Sequence, residues 1–312
     1  MKILTKSQIK LLETLVRGNQ IYVKNLMSYY LKKQGYKTIR NTTDFVMAEG
    51  NIPIALVAHM DTFFEGYKAD RELYYDQEKN VMFCPDGAGF DDKAGLFAII
   101  TLLSKGLRPH IILTTDEEVG GIGASFVAEE KPFEDLRYII ELDRRGKNDC
   151  VFYDCANEDF NKYVEGFGFK TSRGSFSDIS IICPAWGVAG VNLSIGYQNE
   201  HTKSEILDVA AMFATIERVA KMLKEKDIPS FKYVNSYIVT AKRDMTCGNC
   251  GKTIKSFEPY MYVWAAADKI APVCATCINH PSIEWCHHCI EPFIKTDPTD
   301  VICPKCKEEL NV

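Results

Sequence analysis

Two groups of side chains in this sequence have the residue types and spacing of metal ligands. The first is spread along the chain. His59 closes the apolar run Ile54–His59 with Asp61 two residues later, and Asp91 and Asp92 follow the turn Gly87-Ala88-Gly89. Glu117 and Glu118 come just after the run IILTT, Asp143 follows the run YIIEL, and His201 lies in a polar stretch beyond VNLSIG. Imidazole and carboxylate donors together form the ligand set of zinc-type divalent cations, and this collection suits a pair of them.

The second group is compact. Eight of the 12 cysteines form four C-x-x-C pairs after residue 246: Cys247/Cys250, Cys274/Cys277, Cys286/Cys289 and Cys303/Cys306. Paired spacing of this kind, with no secretory signal, reads as zinc rather than a disulfide framework. Eight thiolates make two closed, structural sites of four cysteines each. Two successive zinc ribbons would join the first pair to the second and the third to the fourth. A cross-braced module would alternate them. The eight residues between the second and third pairs favour successive ribbons.

Each acidic or imidazole group also has an ordinary reading. Aspartates ahead of a helix are commonly N-caps, the simplest role for Asp92. Paired glutamates at a helix start commonly form a solvated, dipole-friendly face. His110, at the start of an apolar run, reads as structural. Of the six histidines, however, only three precede the cysteine-rich region, and two of those are His59 and His201.

Positioning these groups requires strands that end near one another. Apolar spacing predicts helices over 6–17 and 21–34, with Gly35 as a stop signal. Extended pieces are predicted near 37–40 and 44–48, buried strands at 54–59, 110–115 and 138–142, and a strand at 187–195. A mixed hairpin is predicted over 66–84. Helices are predicted over 92–105, 121–130 and 158–165, with a long amphipathic one over 204–225. This alternation predicts an α/β fold with a mixed, mostly parallel sheet flanked by helices. In such sheets the carboxyl ends of the strands line the ligand crevice, where these His, Asp and Glu residues fall. Residues 231–241 read as a last strand or linker. The expected domains are 1–240, carrying the first group, and 241–312, a small double zinc-ribbon domain.

Composition narrows the function classes. With 312 residues, 46% hydrophobic and 25% charged, the chain has globular usage and room for about two domains. The longest strongly apolar run, Ala94–Leu103, is half of what a bilayer span needs, at about 20 residues. The N-terminal segment is amphipathic and spaced by lysines, unlike a signal peptide. A reducing, cytoplasmic location is therefore expected, with no membrane association. The net charge of −5 gives no electrostatic basis for binding nucleic acid. Residues 241–312 carry eight Lys+Arg against nine Asp+Glu, and zinc-bound thiolates would make that region more negative. Protein contact, self-association or substrate gating suits the module better. Trp264, Trp285, Tyr260 and Tyr262 are candidates for a contact patch or for packing a small core.

The segments AHMDT, GFDDKAG, TTDEEVGG, ELDRRG and NEHT resemble, in that order, the motifs of the dinuclear zinc peptidases. These are the M28 aminopeptidases with the related M20 and M42 peptidases, and the resemblance covers residues 5–225. DDKAG and DEEVG look most like the tripeptidase branch of M20. The resemblance implies a zinc-peptidase (phosphorylase/hydrolase-like) fold and a role for each residue. His59 and Asp143 would share one metal, Glu118 and His201 the other, and Asp91 would bridge them. The peptide bond after that bridging Asp is commonly cis in the family. Asp61 would orient the His59 imidazole, and Glu117 would be the general base on the metal-bridging water. Two zinc ions, replaceable by Co2+ or Mn2+, are implied here, beside two structural ones in the ribbons.

Insertions that decorate relatives have no room. M20 enzymes carry a lid between the ligands matching Asp143 and His201, which here are 58 residues apart. M42 enzymes insert a domain between those matching His59 and Asp91, here 32 apart. The undecorated M28 plan is therefore expected, and Ser177-Asp178 is reminiscent of an M28 feature. Lacking a lid, an aminopeptidase acting on a peptide is favoured. The alternatives are an N-acyl amide hydrolase (deacylase) acting on a small amide, and a metal-bearing scaffold recruiting protein partners through its ribbons. Retention of Glu117 argues against a scaffold. Arg144 and Arg145 depart from the small residues usual after that Asp, and suit either a substrate carboxylate or the surface.

Overall fold

The computed structural model describes residues 3–64, 71–289 and 291–310. They form two compact units, 1–234 and 235–312.

The first unit opens with helices α1 (Lys6–Arg17) and α2 (Gln20–Lys33). Thr5 caps α1 through a reciprocal pair with Gln8: the Thr5 N–H donates to Gln8 Oε1, and the Gln8 N–H to Thr5 Oγ1. There follow β1 (Ile39–Asn41), β2 (Phe45–Ala48), β3 (Ile52–His59), β4 (Tyr74–Asp76), β5 (Val81–Phe83), α3 (Phe90–Ser104), β6 (Pro109–Thr114), α4 (Ile122–Glu129) and β7 (Tyr138–Arg144). Then come β8 (Asp149–Val151), α5 (Glu158–Glu165), β9 (Lys170–Thr171), α6 (Asp178–Trp186), β10 (Gly190–Ser194), β11 (Tyr197–Gln198), β12 (Ile206–Asp208) and α7 (Val209–Met222).

Eight strands form one mixed sheet in the order β1, β2, β6, β3, β7, β10, β8, β9. Its centre is parallel: β3 pairs with β6 and β7, and β7 with β10. Alternation along β3 explains the two covered faces. Ile54, Leu56 and Ala58 pack into the core shared with α1, α2, α3 and α7, while Ala55 and Val57 face α4 and α6. A strand covered on both sides must be apolar throughout, and β3 is.

Three expectations change. The helix expected over 204–225 begins later, because Ile206–Asp208 pairs with β5 and the Asp208 carboxylate caps α7 at Ala211. The hairpin expected over 66–84 is narrower, with β4 paired to β5 from residue 74; its residues 66–70 lie outside the described residues. The boundary expected near 241 falls at 234/235, because Ile238–Thr240 pairs with Pro259–Met261 of the second unit.

The second unit is built on strands Pro259–Ala266 and Lys269–Cys274, an antiparallel pair. Ile283–Trp285 and Pro292–Ile294 extend the same sheet. Its two small cores both contain cysteines. Trp264 and Trp285 pack against these cores and Tyr260 is buried, whereas Tyr262 is exposed. No described helix is long and apolar enough to cross a membrane.

Candidate metal centres

His59 is the last residue of β3, and Asp143 lies at the end of the neighbouring parallel strand β7. Glu117 and Glu118 follow β6, on the other side of β3. Asp91 enters from the start of α3, and His201 from the loop between β11 and β12. Parallel pairing thus carries residues far apart in sequence to one sheet edge.

There they form two donor triads, His59/Asp91/Asp143 and His201/Asp91/Glu118, each with one donor atom per residue within 4.8 Å of the others. Asp91 belongs to both. Its Oδ1 lies 3.0 Å from His59 Nε2, and its Oδ2 lies 3.2 Å from His201 Nε2. His59 Nε2 is also 3.6 Å from Asp143 Oδ1, and His201 Nε2 is 2.9 Å from Glu118 Oε2. Asp61 is outside both triads. Its Oδ1 sits 3.2 Å from His59 Nδ1, and its Oδ2 accepts the Glu118 N–H at 3.1 Å. A carboxylate on the far nitrogen of a histidine fixes ring orientation and tautomer.

The donor set fits divalent cations. Three carboxylates converge with no lysine or arginine ion-paired to them among the described residues. Hydrogen bonds from His201 to Asp91 and Glu118 push its pKa up to about 10, so the site holds a positive charge strongly. Mixed imidazole and carboxylate donors suit zinc.

Glu117 is half-buried and makes no contact of the ligand kind. Burial, then the nearby carboxylates Asp178, Asp91 and Glu118, push its pKa up to about 7, against the pull of His59. A carboxylate with that proton affinity can accept and return a proton near neutral pH. Asp92 plays the capping part: its Oδ1 accepts the Gly95 N–H at 2.8 Å. The Asp91–Asp92 peptide bond is cis.

Several supporting residues carried no local signal. Glu205 is fully buried, and its carboxylate accepts the N–H groups of Gly89 at 2.6 Å and Asp91 at 3.1 Å. Tyr197 donates its hydroxyl to Asp143 Oδ1 at 3.0 Å. Asn192 Oδ1 accepts the Asp143 N–H, and its Nδ2 donates to the Asp143 carbonyl. Buried Lys93 donates to the carbonyls of Met60 and Asp61, pinning the chain after His59.

Other candidates lie apart from the triads. Ser177 donates to Glu141, and Thr114 donates to Asp178, whose pKa burial pushes up to about 6. Arg145 pairs with Glu200 at 2.7 Å, and Arg144 donates to the Arg173 carbonyl. His110 accepts the Gly50 N–H at Nδ1, reaches Asp135 from Nε2 at 2.9 Å, and stacks on Phe133.

In the second unit the cysteines gather as Cys247/Cys250/Cys274/Cys277 and Cys286/Cys289/Cys303/Cys306, each four within 4.8 Å. The pairs therefore group in sequential order, not crosswise. Burial raises the Cys247 and Cys286 thiols, yet backbone N–H groups, those of Cys274 and Cys303 among them, outweigh it and bring both pKa values down to about 6. Thiolate is the form that binds zinc.

No family model and no curated protein matches the chain. Solved structures do. A tripeptidase from Staphylococcus aureus is 14% identical with a TM-score of 0.55, covering 70% of this chain and 98% of that one. Aminopeptidase PepT from Bacillus cereus is 14% identical with a TM-score of 0.56, covering 70% and 97%. A Zn-dependent exopeptidase from Parabacteroides distasonis is 13% identical with a TM-score of 0.50, covering 70% and 97%. The chain has the fold of these peptidases. At such identities the likeness concerns the fold alone, and the site's own geometry has to carry the chemistry.

Proposed function

We propose that the chain is a dinuclear metal-dependent hydrolase that cleaves the peptide bond next to a free N-terminus, an aminopeptidase. The carrying observation is the Asp91 carboxylate shared between two His-and-carboxylate triads, with Glu117 beside them and outside both. His59, Asp91 and Asp143 would hold one zinc ion, and Asp91, Glu118 and His201 the other. When bound, the ions would polarise the scissile carbonyl and acidify a water.

The chain's own residues do the rest. Glu117 takes a proton from the water whose oxygen attacks the carbonyl carbon. It returns that proton to the amine nitrogen as the C–N bond breaks. Asp61 holds the His59 ring while accepting the Glu118 N–H, so one carboxylate aligns a donor in each triad. Glu205, Tyr197 and Asn192 hold Asp91 and Asp143. The two four-cysteine clusters would each hold a structural zinc, and the second unit would serve protein contact or self-association. Hydrolysis of free dipeptides but not their N-acetylated forms by the zinc-, cobalt- or manganese-loaded chain tests the reading. The reverse preference would favour the N-acyl amide hydrolase, and no hydrolysis of either series would favour the scaffold.

A further inference from the structure

A cavity of about 510 Å³ adjoins the second triad, a ligand-sized volume. Asp61 and Glu118 belong to its lining, and so do Ile21, Phe63, Phe64 and Val119. Ile21, Phe63 and Val119 are each more than half exposed, and grouped exposed apolar side chains mark ligand grooves. Phe63 also stacks on the His201 ring, with centroids 4.9 Å apart, so the apolar wall reaches the triad itself.

The third carboxylate of the lining, Asp116, differs from the other two. Asp61 and Glu118 have both oxygens engaged, by His59 and the Glu118 N–H in one case and by His201 and the Phe63 N–H in the other. Asp116 is clasped by one side chain. Gln20 Nε2 donates to its Oδ1 at 3.1 Å, and its backbone N–H donates to Gln20 Oε1 at 3.0 Å. Oδ2 has no hydrogen-bond or ion-pair partner among the described residues. Asp116 itself stands at φ 55°, in the left-handed region that aspartate enters more readily than most residues. No lysine, arginine or histidine appears among the described lining residues. The nearby Arg71 guanidinium is buried and donates through Nη1 to the carbonyls of Val16 and Ala88 and through Nη2 to that of Phe64, with its Nε unpartnered among the described residues.

Apolar walls with an open, pre-positioned carboxylate suit an alkyl chain that ends in a cation. We propose that this cavity binds a basic side chain, that of lysine or arginine, flanking the scissile bond, with Asp116 as the residue that selects it. The inference rests on the peptidase reading only in making the ligand part of a peptide. The cavity's preference for an amphipathic cation stands on its own lining.

Calorimetric titration of the zinc-loaded full chain with free lysine and free norleucine tests it. Both probes carry the same α-ammonium and carboxylate, and only lysine has the terminal cation. Wild type is expected to bind lysine about 10-fold tighter or more, the scale of one charge-assisted contact. Asp116→Asn should erase that preference and leave norleucine affinity unchanged. Gln20→Ala, which removes the clasp and trims the lining that Gln20 also supplies, should reduce the preference in the same direction. Equal or absent binding of the two probes by wild type would overturn the proposal. Equal loss of both probes in Asp116→Asn would also overturn it, by placing Asp116 at the α-ammonium. Failure of the peptidase reading is read separately, as no turnover of Lys-Ala, Ala-Lys or their norleucine counterparts while the lysine preference in binding persists.

Discussion

Glu205 Oε1 accepts the backbone N–H of Asp91 at 3.1 Å, across 114 residues of sequence. The other oxygen takes the N–H of Gly89. One buried carboxylate thereby ties Asp91, the donor common to both triads, at the start of α3, to the loop that carries His201. Glu205→Gln keeps the shape but turns an amide N–H2 toward one of those donors. Loss of about 10- to 100-fold in zinc affinity is expected, the usual range for a residue that orients metal ligands. Competition with a chromophoric chelator measures it. Unchanged affinity would show that the clamp does not position Asp91.

Glu117→Gln should leave metal content and folding intact, since Glu117 is in neither triad. Turnover of whichever dipeptides the wild type cleaves should fall about 10²- to 10⁴-fold, the range of general-base assistance. His201→Ala, by contrast, should lose metal from the second triad. Metal analysis beside steady-state rates separates the two. Wild-type rates in Glu117→Gln would remove Glu117 from the proton transfer.

Removing zinc from residues 235–312 should unfold them. The two small cores of this unit include cysteines of both clusters, and a domain with so little apolar interior draws its folding energy from metal. The isolated segment should lose its far-ultraviolet circular dichroism on addition of a strong chelator and regain it with zinc. Residues 1–234, which contain both triads, should fold and bind two metal equivalents without it.

His110 makes unit one acid-sensitive. Burial lowers its pKa below 6.5, against the opposing pull of Asp135. Its Nδ1 accepts the Gly50 N–H, a bond that only the neutral ring makes. The folded state therefore binds fewer protons at this site than the unfolded chain. The resulting stability is fully present above pH 6.5 and is lost as pH falls from 6.5 through the lower folded value. The slope contributed is at most about 1.4 kcal/mol per pH unit. Denaturant midpoints across that window should fall less steeply in His110→Gln than in wild type. Parallel curves would place the protonation elsewhere.

The candidate ligands were legible in the sequence because metal chemistry restricts residue type and because strand ends advertise themselves. His59 closes an apolar run and Asp91 follows a glycine turn; the four C-x-x-C pairs encode their clusters through spacing alone. The buried strands were legible for the same local reason, since β3 is covered on both faces and must be apolar throughout. Other elements were not. Helix α6 is short and contains Pro184, so its periodicity is weak, and Ile206–Asp208 becomes a strand only because β5 lies alongside.

Residue type and spacing are local properties, and they determined which groups could bind metal. Which of them meet was decided by the parallel pairing of β3 with β6 and β7, which brings His59, Glu118 and Asp143 to one edge. Glu205 shows the limit most clearly. It is one of 42 acidic residues, and nothing adjacent to it in sequence says that it is buried against the N–H groups of Gly89 and Asp91. The same holds for Gln20 and Asp116, 96 residues apart and joined only by packing of the N-terminal helices against the sheet. Burial, register and the desolvation that raises the Glu117 pKa come from long-range packing, so only the tertiary structure supplies them.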